Sequence, residues 1–151
     1  MRFLALILMI TTLALADTKK AVFALTTPDI EKIENRLIGG IKGATKYYKN
    51  QNQQLESIVV IHGEAYKFFV KDITKTAIET ESMMDIDTDE LHAKISDFIK
   101  THNVSLYICS VGMKRNGIEE SNILNNIKVI PSAMIELIEL QNSGYAYIPI
   151  E

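Results

Sequence analysis

The chain holds one cysteine, Cys109, among 151 residues. With no second cysteine there is no internal disulfide, no Cys-x-x-Cys pair carrying its own resolving thiol, and no cysteine-rich zinc centre. Histidine is scarce as well, and His62, His92 and His102 form no recognisable metal spacing with Cys109, so no metal site is expected. A positive field is also missing. The formal charge is -3, or -4 without Arg2, which excludes nucleic acid and an anionic membrane surface as expected partners. No internal repeat or low-complexity tract is present. Neither is a phosphate loop or dinucleotide fingerprint, because Gly39-Gly40 falls inside a helical pattern at the wrong spacing, and no cofactor is expected.

What is present begins with an export-like start. Arg2 supplies a positive residue, Phe3 to Ile10 an unbroken apolar stretch, and Ala14-Leu15-Ala16 a small-residue cleavage site. The reading is a signal peptide over 1–16 and a mature chain from Asp17, periplasmic and free of the membrane after cleavage. The alternative is an uncleaved anchor, against which stand the shortness of the stretch and its interruption by Thr11 and Thr12. The remaining 17–151 is the length of one ordinary domain, long enough to bury a core without disulfide staples.

Along that stretch, Ala21-Val22-Phe23-Ala24-Leu25 suits a strand buried on both faces. Thr27 and Pro28 open a helix whose apolar face is Ile30, Ile33, Leu37 and Ile41. Ser57-Ile58-Val59-Val60-Ile61 is a second buried strand and runs straight into His62-Gly63-Glu64. Within 65–86 the pattern leaves the structure open: Tyr66-Lys67-Phe68-Phe69-Val70 reads as strand or helix, and Thr74 to Met84 carries only a loose helical pattern. Asp87 with Glu90 forms a capping box for a helix carrying Leu91, Ile95, Phe98 and Ile99. Val104 to Cys109 is a third strand, followed by a glycine-bearing loop and a short helix over 118–125. Ile127-Lys128-Val129-Ile130 is a fourth strand, Ser132 caps a helix carrying Met134, Leu137, Ile138 and Gln141, and 145–150 is an edge strand containing Pro149. The alternation predicts a three-layer α/β/α domain with a mostly parallel sheet of about five strands, flavodoxin-like in layout.

In open α/β sheets ligands bind at the carboxyl ends of the strands. Cys109 sits at such an end, and two readings of it are open: an inert buried thiol, or a thiol kept for chemistry. For chemistry it needs access and stabilisation as the anion, which Lys114, Arg115 and the amides around Gly112 can supply, together with the dipole of the helix near Ile118. Lys114 and Arg115 read equally well as solvated charges. His62, at the end of the neighbouring strand, is either an acid-base group or a structural histidine bonded to a loop carbonyl.

The stretch Leu106-Tyr107-Ile108-Cys109-Ser110-Val111-Gly112-Met113-Lys114-Arg115-Asn116-Gly117-Ile118, with Val129 to Gln141, Gly144 to Ile148 and the upstream Val59-Val60-Ile61-His62-Gly63, resembles the DsrE/DsrF-like family. The resemblance implies a small α/β domain that forms homo-oligomers, often trimers or hexamers, with a cysteine at the place of Cys109 that carries sulfane sulfur as a persulfide between donor and acceptor proteins or small sulfur compounds. His62 is a candidate catalytic neighbour, and Gly63, Gly112, Lys114, Arg115 and Asn116 are candidate binding residues. The alternative is a non-catalytic module that binds a small ligand or serves assembly on the same fold.

Overall fold

The structure, a computed structural model, describes residues 17–151; the expected signal peptide lies outside the described residues. Five strands form one parallel sheet: β1 (Thr18–Leu25), β2 (Gln54–Ile61), β3 (Val104–Cys109), β4 (Ile127–Ile130) and β5 (Ala146–Ile150). Their order is β4-β3-β2-β1-β5, with every adjacent pair parallel. The expected parallel α/β architecture is therefore present. The order itself is not flavodoxin's 2-1-3-4-5, and it moves the point where the strand order reverses to the junction of β1 and β5.

That order decides where the helices lie. Passing from β1 to β2 to β3 to β4, the chain steps the same way each time, so right-handed crossovers put all three connections on one face. The first is a continuous helical run, α1 (Ile30–Lys32), a π-wound stretch Ile33–Gly39 and α2 (Gly40–Asn50), with Ile33, Leu37, Ile38 and Ile41 buried. Asp29 rather than Thr27 is its cap, accepting from the Glu31 amide at 2.9 Å. The second connection contains 3-10 turns at Ala65–Phe69, Ile73–Lys75 and Thr80–Met83, then α3 (Thr88–Thr101), whose cap Asp87 accepts from the Glu90 amide. The third differs from the expected loop and helix. A helix, α4 (Ser110–Arg115), starts immediately after Cys109, and 118–125 contains only the single 3-10 turn Glu120–Asn122.

The return from β4 to β5 runs the opposite way across three strands, so its helix, α5 (Ala133–Asn142), lies on the other face and packs on β1, β2 and β5. Among the described residues, one helix covers that face. Ala133 and Leu140 are buried, while Met134, Ile135 and Ile138 are 73%, 61% and 50% exposed. The expected stripe of Met134, Leu137, Ile138 and Gln141 is thus not the face that packs, because the helix seats on Ala133, Leu137 and Leu140 instead. The core is one cluster running from Ala21 on β1 to Ile150 on β5.

Candidate functional site

The register brings the strand ends into line. Leu25, Ile61 and Ile108 are partners across β1, β2 and β3, and Leu25 also pairs with Ile150. One residue further along, His62 is the first residue after β2 and Cys109 the last of the adjacent β3, and Cys109 pairs with Ile130, the last residue of β4. Three residues beyond Ile130 the chain enters α5 at Ala133. This closeness is why the first residue of α5 reaches the sulfur.

The Ala133 amide donates to Cys109 Sγ at 3.2 Å. Ser132 occupies the cap position of α5 without making a side-chain capping bond, so the sulfur takes a backbone donor that a helix start ordinarily offers to a cap or an anion. The Ser110 hydroxyl donates to the Pro131 carbonyl at 3.1 Å and holds the two segments together. Cys109 is itself the cap residue of α4; its sulfur makes no capping bond, but the nearby Val111 and Gly112 amides favour its anion. The helix dipole expected from near Ile118 is supplied instead at these two helix starts.

Cys109 is 6% exposed. Burial pushes its thiol up, but the amides of Gly112, Ala133 and Val111 and the Tyr66 hydroxyl outweigh burial, and the net shift is downward from the ordinary value. The sulfur is buried, yet among hydrogen-bond donors rather than in a purely aliphatic pocket. This is the arrangement an anion of sulfur requires.

Tyr66 is the residue that sequence reasoning missed. It lies in the turn after β2, is 2% exposed, and its hydroxyl donates to the Cys109 carbonyl at 2.9 Å. Burial first, then the charge of Cys109, holds its phenol well above the ordinary value, so it stays a donor. Gly112 makes room for it: a side chain at that position would collide with the Tyr66 hydroxyl and ring. No local pattern signals this contact, because its partners lie 43 residues apart.

The remaining candidates are spread around this centre. Gly63 adopts φ +66° and its missing side chain clears Thr26, allowing the chain to turn sharply after His62. Gly63, Glu64, Tyr66, Lys67 and Asn116 help wall a cavity of about 280 Å³. The Asn116 amide side chain folds back on the Gly112 carbonyl at 2.9 Å and closes α4. Arg115 is exposed and acts electrostatically on Tyr66, whereas Lys114 walls a different cavity with Ser110 and Glu119. Burial lowers the pKa of His62 and favours its neutral form, and its Nε2 has no hydrogen-bond partner. Neither a loop carbonyl nor Cys109 engages that nitrogen. Among the described residues no three His, Cys, Asp or Glu side chains gather as a metal would require, and no helix is long and apolar enough to cross a membrane.

Comparison with known proteins places this geometry. The chain is 24% identical over 134 residues to an uncharacterised protein of Aquifex aeolicus (strain VF5), covering 89% of this chain and 57% of that relative, so it spans little more than half of the relative's length. A solved structure of a protein of unknown function from Methanobacterium thermoautotrophicum superposes with a TM-score of 0.65 over 87% of this chain and 98% of the other, at 17% identity, and shares the fold. The model of the DsrE/DsrF-like family matches residues 19–150, and the chain belongs to that family.

Proposed function

We propose that this protein handles sulfur, with Cys109 carrying sulfane sulfur as a persulfide between a donor and an acceptor. The observation that carries the reading is the sulfur's donor set: Cys109 Sγ receives the Ala133 amide, faces the Gly112 and Val111 amides, and has its pKa lowered despite burial. Family membership supports a sulfur-relay type of role.

In the loading step the Cys109 thiolate attacks the outer sulfur of a donor persulfide. A Cys109–sulfur bond forms, the donor's sulfur–sulfur bond breaks, and its electron pair leaves with the donor thiolate. The outer sulfur keeps its proton, and no external oxidant or reductant is needed. Unloading reverses the step on an acceptor thiolate. The amides that stabilise the thiolate also stabilise the terminal persulfide anion. With no second cysteine in the chain, the acceptor thiol belongs to another molecule.

The same reading places the protein in the periplasm, following the export-like residues 1–16, and as a homo-oligomer, trimer or hexamer, for which the apolar outer face of α5 provides a surface. Intact-mass analysis after treatment with polysulfide, or with glutathione persulfide, is expected to show one added sulfur atom that is released by a small thiol and absent in Cys109→Ser. Absence of any adduct on the unmodified protein overturns the reading. One observation favours a second reading, a binding module with an inert thiol: the 6% exposure of Cys109 beside a cavity lined by Gly63, Glu64 and Lys67. Under that reading Cys109→Ser leaves the parent process intact.

A further inference from the structure

The conserving of a donor at the sulfur depends on more than backbone amides. We propose that Tyr66 is a positioning residue for Cys109, its hydroxyl turning from the Cys109 carbonyl to the sulfur when the sulfur becomes anionic. This deepens the persulfide reading, which supplies the anion that Tyr66 would serve.

Three features of the geometry converge on it. The hydroxyl is already bonded to Cys109, 2.9 Å from its carbonyl oxygen, and the Tyr66 and Cys109 side chains interact, so a turn of the O–H toward the sulfur is a local change within one contact. The ring is fixed by burial and by its seat against Gly112, the position whose amide also faces the sulfur. Tyr66 also walls the cavity that opens beside Gly63 and Asn116, so the ring lies between that space and Cys109's backbone. A buried anion gains a charge-assisted bond of roughly twice the strength of the neutral one given up at the carbonyl, which favours the turn once the sulfur is charged. The titratable groups around the sulfur are Tyr66 from the turn after β2, Arg115 on α4, which acts through Tyr66, and His62 at the end of β2, which burial favours as neutral. From α5 comes only the Ala133 amide.

The test is the pH dependence of Cys109 alkylation by iodoacetamide in the full mature chain, which does not require sulfur loading. In Tyr66→Phe the half-rise is expected about one pH unit higher, as for loss of one hydrogen bond to a charged group. Because a more basic thiolate is also more nucleophilic, alkylation slows by only about threefold at neutral pH and speeds by about threefold on the alkaline plateau. The two curves therefore cross. Superimposed curves, or a parallel loss at every pH, overturn the proposal, since a purely structural role gives no crossing. Should Tyr66→Phe fail to fold, replacement of tyrosine by 3-fluorotyrosine keeps the shape and makes a stronger donor, and the half-rise is expected to move down; an unmoved half-rise overturns the proposal. If the wild type takes up sulfur while these curves coincide, the role of Tyr66 fails alone; if the curves cross but no sulfur is ever taken up, the carrier function fails alone.

Discussion

At the residue scale, Cys109 is held by opposing influences: burial disfavours its charge, and four donors from three separate elements favour it. The donors win, which ties charge to stability. A thiol whose pKa is lower folded than unfolded adds stability at pH above the ordinary thiol value of 9.0. That contribution disappears as pH falls through the lowered folded value. The stability of wild type relative to Cys109→Ser, read by urea unfolding, is accordingly expected to grow with pH across this window, by about 1.4 kcal/mol for each pH unit of the depression. A difference that stays flat across the window contradicts the donor set. Cys109 was legible as a candidate from its singularity and its strand-end position. Tyr66 was not, since nothing in Tyr66-Lys67-Phe68-Phe69 distinguishes a residue aimed at the sulfur from a residue filling the core.

At the scale of elements, the site depends on two helices starting at one sulfur. The packing of α4 against Tyr66 permits only a glycine at position 112, with no φ requirement involved, since the space is taken by the Tyr66 ring. Gly112→Ala is expected to displace that ring, cost about 1–3 kcal/mol as an overpacked core substitution, and raise the half-rise pH of Cys109 alkylation. Asp87→Ala provides the contrast. It removes the cap of α3, costs about 1 kcal/mol in thermal or urea unfolding, and leaves the alkylation profile unchanged. If both variants lose stability and neither moves the profile, Gly112 is only a packing residue. β1, β2 and β3 were readable because each carries a short apolar or β-branched run, a pattern that burial imposes on parallel strands directly, whereas the more exposed β4 and β5 were marked by their bounding Pro131 and Gly144. Residues 65–86 were not, because 3-10 turns impose neither a period of two nor one of 3.6. For α4 the glycine suggested a loop, but six residues of helix fit because tertiary packing on β3 outweighs one poor helix former.

At the scale of the whole molecule, the strand order leaves the two faces unequal, with three connections on one and, among the described residues, α5 alone on the other. An α-helix that packs on one side only ordinarily presents a polar outer side. The outer side of α5 instead carries Met134, Ile135 and Ile138, and the neighbouring edge strand β5 exposes Tyr147 and Ile148. Exposed apolar residues grouped in this way mark association surfaces, and the proposed homo-oligomer is the occupant that the resemblance implies. The consequence reaches the sulfur, because the first residue of α5 is the one whose amide bonds Cys109. A subunit packed on α5 would fix that amide and restrict which acceptors approach. Met134→Lys with Ile138→Lys is therefore expected to convert the assembly to monomers in sedimentation velocity while thermal stability of the monomer changes little, since both side chains are solvent-facing in the single chain. The same variant is expected to alkylate faster at Cys109 once the covering subunit is gone. A wild type that sediments as a monomer at every concentration tested overturns the assembly, and α5 is then a surface for a different protein.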